Sequence, residues 1–228
     1  MLNPRQAAEA FRCAPSWRLA LVIAIALTVL GHMLQRPAKI HVIQGQIETA
    51  IATNPRYAQL PEKQKSRALA NVGHVTGKKT VLVGTVLIAR LLAITLINAL
   101  VLSCANLIGR GTSGFPHLWA ASVNIAVPTI GISSTVLGVI FILLGPDHFS
   151  QGKDLLVSLP GLQTLVPAAS GVFGGFARAI NPFTIWGCAL NTLILRVTAE
   201  VTWSIAIGAA LLILFGAATF QGITVTGL

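Results

Sequence analysis

Residues 80–108 run for 29 positions with Arg90, Asn98, Ser103 and Asn106 as their main polar interruptions, and nothing else in the chain restricts its fold so strongly. A hydrocarbon core about 30 Å thick is crossed by about 20 helical residues, and a backbone in lipid has to satisfy its own hydrogen bonds. A run of this length is therefore expected to be a helix that crosses with tilt or protrudes. Comparable apolar runs occupy 18–34, 117–144, 183–195 and 201–220. The expected fold is all-α: a polytopic membrane protein, residues 1–228 forming one domain, with a five-helix transmembrane bundle. The fourth run is short and must borrow flanking residues to span.

Only 10% of the residues are charged and the mean hydropathy is +0.77, which excludes an ordinary soluble domain, where about a quarter are charged. The net charge of +10 points to anionic lipid rather than nucleic acid, because the basic residues lie between apolar segments without interleaved aromatic stacking platforms. Cys13, Cys104 and Cys188 are scattered and odd in number, and read as small apolar fillers.

Between the first two spans, 36–79 is the one long polar stretch. Ile40, Ile43, Ile47 and Ile51 share a helical face before Asn54-Pro55, and a second piece starts at Pro61 and carries Leu69, Val72 and Val75. This reads as an amphipathic helical hairpin lying on the bilayer or capping the bundle. GRGTSGFP at 109–116 is a turn, and Pro128 should kink the third span. From 145 to 182, frequent Pro and Gly predict a short surface helix and a re-entrant or interfacial segment.

Chemistry-bearing side chains are few. Arg90 lies well inside the second span, where an arginine costs about 2.5–3.5 kcal/mol, so it calls for backbone carbonyls, Asn124, Asn191, a lipid phosphate or another subunit. Asn98, Asn106, Asn124 and Asn191 either line a polar path or hydrogen-bond between helices, the latter at about 0.6 kcal/mol each. Gly131, Ser134 and Gly138 form a small-residue stripe on the third span; Gly208 and Gly216, with Ala209, form a looser one on the fifth. Both are expected to serve close helix packing. His32 and His117 sit at span ends without ligand spacing, and Asp147-His148 reads as a loop turn. No catalytic triad, phosphate loop or metal motif is present, so no catalytic residue, cofactor or metal is expected.

Three motifs resemble the bacterial branch of the Yip (Ypt/Rab-interacting) family of five-span membrane proteins. NPRQAAEAFRCAPSW at 3–17 looks like its Asn-Pro start and Pro-x-Trp step into the first span. GRGTSGFPHLWAASVNIAVP at 109–128 looks like its Gly-rich turn and Val-Pro pair. NPFTIWGCALNTL at 181–193 looks like its entry into the fourth span. Leu60-Pro61-Glu62 departs from the family's Ser-Pro-Glu and loses a side-chain cap. The tyrosine motifs of the eukaryotic branch are missing, Tyr57 being alone, so Rab binding does not carry over. The resemblance implies an N-terminus inside, a location in the bacterial cytoplasmic (inner) membrane, and no activity. The positive-inside rule favours the reverse orientation: Arg5, Arg12, Arg18, Arg110 and Arg196 would lie inside, against a larger basic set led by the hairpin outside.

The function expected from these features is that of a non-enzymatic membrane scaffold or accessory subunit, whose partners are the lipid bilayer and other membrane subunits or a second copy. The alternative is a small-solute transporter or channel using Arg90 and the intramembrane asparagines, although no internal repeat marks paired halves.

Overall fold

The computed structural model describes residues 16–53, 61, 63–67, 77–149, 161–166 and 171–226. The N-terminal motif before Ser16, Tyr57, and the hairpin positions Leu69, Val72 and Val75 lie outside the described residues. Every regular element among those described is helical: α1 Arg18–Thr53, α2 Gly77–Ile108, α3 Phe115–Ala126, a π-helical turn Val127–Ile132, α4 Ser133–Leu144, a 3-10 turn Pro146–His148, α5 Leu162–Leu165, α6 Gly171–Ala179, α7 Pro182–Val197 and α8 Trp203–Thr226, with a further helical stretch over 63–67 just after Pro61. Among the described residues, three stretches are long and apolar enough to cross a membrane: Arg18–Thr53, Leu82–Ile108 and Phe115–Leu144. The apolar helices Pro182–Val197 and Trp203–Gly216 are shorter.

The first span was expected to end at 34 and a separate surface helix to begin near 40. Instead α1 is one helix of 36 residues that passes through Pro37. Pro37 lacks the N–H that would bond to the carbonyl of Met33. Both residues are exposed, so the interrupted turn faces outward while neighbouring Gln35 and Ala38 are buried. The first limb of the expected hairpin is thus the continuation of α1.

The buried residues of α1, Ala20, Ala24, Thr28, Gly31, Gln35, Ala38 and Val42, recur at steps of four and three. That spacing makes one straight seam, as in a coiled coil, here built from small side chains. Its partner is the helix from the π turn through α4. Ala24 and Leu27 meet Gly131, Gly31 meets Ser134, and Leu34 meets Gly138. Ala38 and Val42 then pack on Phe141 and Phe149, whose rings stack at 4.6 Å. Residue numbers rise together along the seam, so the two helices run parallel.

Helix α2 runs antiparallel to α3: Asn98 bonds Ser122, Asn106 bonds Ser113, and Leu91 shares a cluster with Ala126 and Ala24. The expected kink at Pro128 takes the form of the π turn, in which Pro128 is one of the first two residues. Hydroxyls accompany the disturbed carbonyls, with Thr129 Oγ1 donating to Ile125 O at 2.7 Å and Ser133 Oγ to Thr129 O at 2.6 Å. α4 ends at Gly145, whose φ of +77° a side chain would resist.

The second half closes around Leu102, Leu118, Leu195, Val201 and Ala206, contributed by α2, α3, α7, α8 and the turn before α8. Helix α7 is started by Asn181, which accepts from the backbone of Phe183 and Thr184 while its own N–H donates to Thr184 Oγ1. This capping box explains how Asn-Pro-Phe opens a helix. The expected re-entrant segment is, over 171–179, the short helix α6 lying along α8, with Phe176 stacked on Phe215 at 5.6 Å. There the chain folds back along its own helix α8.

Candidate functional site

The structure separates the polar side chains singled out above, Asn124 apart, into three places. The first is a layer buried between α2, α3 and α7. Asn98 Nδ2 donates to both Ser122 Oγ and Asn191 Oδ1 at 3.1 Å, and Ser122 Oγ donates to Leu118 O at 2.9 Å. Asn98, Ser122 and Asn191 are all buried, and Asn98 Oδ1 has no partner among the described residues. A buried amide oxygen without a hydrogen bond costs about 1–3 kcal/mol. Ser122 was missed from the sequence, where a lone serine in an apolar helix usually bonds back to its own turn.

The second place is the end of the bundle where the 109–114 turn meets the turn before α8. Asn106 Nδ2 donates to Ser113 O at 2.8 Å, Ser113 Oγ to Thr198 O at 2.8 Å, and Thr112 N to Ala199 O at 3.0 Å. A Cβ on Gly111 would strike Asn106 Oδ1 and the Ala199 carbonyl, and one on Gly109 would lie 2.5 Å from Val201 Cγ1. The Gly-rich turn is therefore a contact surface for its neighbour, not a phosphate loop. Arg196 completes this end, donating to Val201 O at 3.2 Å with its guanidinium 5.8 Å from the Trp203 ring centre. Asn124 belongs to neither group: its Nδ2 donates to Ser16 O and Ala120 O at 2.8 Å, tying the entry of α1 to α3 beside the Trp17–Trp119 edge contact.

The third place is the outer surface between α1 and α2. Arg90 is exposed, among the exposed apolar residues Val86, Leu92 and Ile94. Asn124 and Asn191, two of its expected partners, are engaged elsewhere. Its charged neighbour is another cation: the half-buried Lys39 of α1 lies within Coulombic range of Arg90, and His32 within range of Lys39.

The two glycine stripes also part company. Gly131, Ser134 and Gly138 lie in the α1–α4 seam, whereas a Cβ on Gly208 or Gly216 of α8 would meet nothing within 4 Å among the described residues. Between α7 and α8 runs an apolar groove of about 600 Å³ lined by Ile185, Cys188, Thr192, Trp203, Ile207 and Leu211 among others. No group of three or more His, Cys, Asp or Glu able to hold a metal occurs among the described residues. Comparison with protein-family models, with curated proteins and with solved structures gives no match.

Proposed function

We propose that this chain is a non-enzymatic membrane scaffold or accessory subunit of a larger membrane assembly. The observation that carries the reading is the contrast between the glycine stripes. One is consumed inside the fold by the α1–α4 seam; the other, Gly208 and Gly216, meets nothing among the described residues and lies on α8, the helix that forms one wall of the α7–α8 groove. Open small residues on an apolar helix permit the close approach of another helix, which lipid tails do not exploit. In this reading α7 and α8 are the fourth and fifth spans, the chain resides in a bacterial inner membrane, and its kinship is with the bacterial Yip branch, supported by the Gly-rich turn, the Val-Pro step and the Asn-Pro-Phe cap described above. Extraction in mild detergent at native expression, followed by mass measurement of the intact particle, tests it. The expected result is a particle heavier than the 23.9 kDa chain with its detergent. A lone monomer would overturn it.

The Asn98 and Asn106 side-chain oxygens, buried and without a partner among the described residues, favour the transporter alternative. Arg90 faces outward from α2, away from the buried amides, which argues against one continuous path through all of them. Solute uptake by reconstituted vesicles that is abolished by Arg90→Leu would replace the scaffold reading.

A further inference from the structure

Helices α7 and α8 pack as a hairpin around the turn 198–202, and the groove between them has two unlike ends. Its α8 wall is Trp203, Ile207, Leu211 and Leu214, one helical face at steps of four and three, and its α7 wall runs from Ile185 to Leu193. The next position on that α7 face, four residues beyond Thr192, is the half-buried Arg196. Its guanidinium donates to Val201 O at 3.2 Å and lies 5.8 Å from the ring centre of Trp203, which itself lines the groove. Two contacts thus hold an arginine at the turn end of an apolar trough.

That end is also a polar end of the bundle. Ser113 Oγ donates to Thr198 O and Thr112 N to Ala199 O, so the turn lies against the 109–114 turn, where the apolar stretches Leu82–Ile108 and Phe115–Leu144 both stop. The charged side chains within 109–114 and 196–202 are Arg110, Arg196 and Glu200, two cations against one carboxylate. Away from the turn the groove stays apolar as far as Ile185 and Leu214, about 16 Å along each helix at about 1.5 Å per residue.

The walls argue against a second helix as the occupant. Close approach of helices in lipid uses small residues, whereas the α8 wall is made of large ones, and Gly208 and Gly216 fall about a quarter-turn and about a half-turn around α8 from it. A flexible chain, unlike a helix, can lie between side chains of that size, and the volume of about 600 Å³ is that of a ligand pocket. We propose that the α7–α8 groove binds one anionic phospholipid, with an acyl chain along the trough and the phosphate on Arg196. The guanidinium offers the lipid a charge-assisted hydrogen bond, and Trp203 presents an apolar face where head and tail meet. This goes beyond the scaffold reading and leaves the Gly208 side of α8 to any partner helix.

The test uses the full-length protein in phosphatidylcholine vesicles that contain rising fractions of phosphatidylglycerol or phosphatidylcholine with brominated acyl chains. Bromine quenches a neighbouring indole, so the part of the fluorescence that disappears in Trp203→Phe reports lipid in the groove. Phosphatidylglycerol should occupy it about fivefold more readily than phosphatidylcholine, the worth of one basic side chain near anionic lipid. Arg196→Leu should erase the preference and Arg196→Lys should retain part of it. Arg110→Leu, which removes a charge from the same end outside the groove, should leave it intact. Ala189→Phe, filling the groove from an exposed position of α7, should lower quenching by both lipids, with circular dichroism verifying that each variant folds. Equal quenching by the two lipids would overturn the proposal. So would a preference lost as fully in Arg110→Leu as in Arg196→Leu, which would assign it to the general surface field, or a Trp203 signal that neither lipid quenches, which would show the groove covered by protein. A native monomer with the preference intact fails only the assembly, and a native assembly without it fails only the lipid site.

Discussion

Replacing Gly31 by alanine adds one methyl group where the structure has no room for it. The new Cβ would collide with the carbonyl carbon and oxygen of Ser134 and stand 2.7 Å from Thr135 N, all backbone atoms that cannot swing aside as a side-chain tip can. Relief requires α1 and α4 to separate locally by about 1 Å, a gap that forfeits a quarter to a half of the dispersion energy of each contact it opens. Two interhelical hydrogen bonds span the same seam: Gln35 Nε2 to Ser134 O at 3.3 Å and Thr135 Oγ1 to Leu27 O at 2.9 Å. The first would be lost and the second weakened, at about 0.6 kcal/mol each. Added to an overpacking cost of about 1–3 kcal/mol, this predicts destabilisation by about 2–4 kcal/mol. Gly208→Ala is the control, since its Cβ meets nothing within 4 Å among the described residues and the substitution should be neutral or stabilise by up to about 1 kcal/mol through helix propensity. Unfolding in mixed micelles titrated with SDS reads both, with the fluorescence of Trp17 and Trp119, in edge contact at the start of the seam, as reporter. If Gly31→Ala unfolds within 1 kcal/mol of Gly208→Ala, the seam is not as close as described and the argument from α1's small residues fails.

A double-mutant cycle on Asn98→Leu and Asn191→Leu should return a coupling of about 0.6 kcal/mol, the usual worth of an interhelical side-chain bond, in the same micelle titration; a coupling of zero would mean that the buried layer is adjacency without bonding. Cysteines placed at Ser16 and Thr53, which flank α1, should react with an impermeant maleimide from opposite faces of sealed vesicles, because 36 helical residues rise about 54 Å and exceed the hydrocarbon core. Labelling of both from one face would show that α1 lies on the membrane.

What the sequence made legible was whatever depends on apolar length. Residues 80–108 and 117–144 announced two helices that the structure shows, over Leu82–Ile108 and Phe115–Leu144, to be long and apolar enough to cross a membrane, because a helix satisfies so long an apolar backbone from within. Pro128 was readable as a disturbance, since a missing donor has a local consequence. The continuation of α1 was not. A proline beside Arg36 signals an end by local rules, and what overrides them is the far-off contact of Ala38 and Val42 with Phe141 and Phe149. The seam itself was hidden for a different reason. Ala24, Thr28, Gly31 and Gln35 are inconspicuous on a hydrophobicity reading, yet in a membrane it is small size at steps of four and three that marks the packed face. For the polar residues, the sequence named Asn98 and Asn191 without pairing them, and offered Asn124 and Asn191 to Arg90 when each is bonded elsewhere. Pairing depends on which helices are neighbours, and nothing local in this chain encodes that.

The parallel course of α1 and α4 has a consequence for how the chain is made. Parallel neighbours cannot fold as a hairpin; the partner arrives only after the intervening helix has turned back. Thr135 bonds to Leu27 across 108 positions of sequence, and at a synthesis rate of about 5–20 residues per second α1 waits about 5–20 s for the other half of its seam to emerge. During that interval its row of small residues faces lipid with no native contact, and any nascent helix with a similar row is a competitor. The order of manufacture thus makes α1 the element most exposed to wrong pairing, and gives α2 and α3 the task of closing quickly enough to deliver α4 before a stranger takes its place.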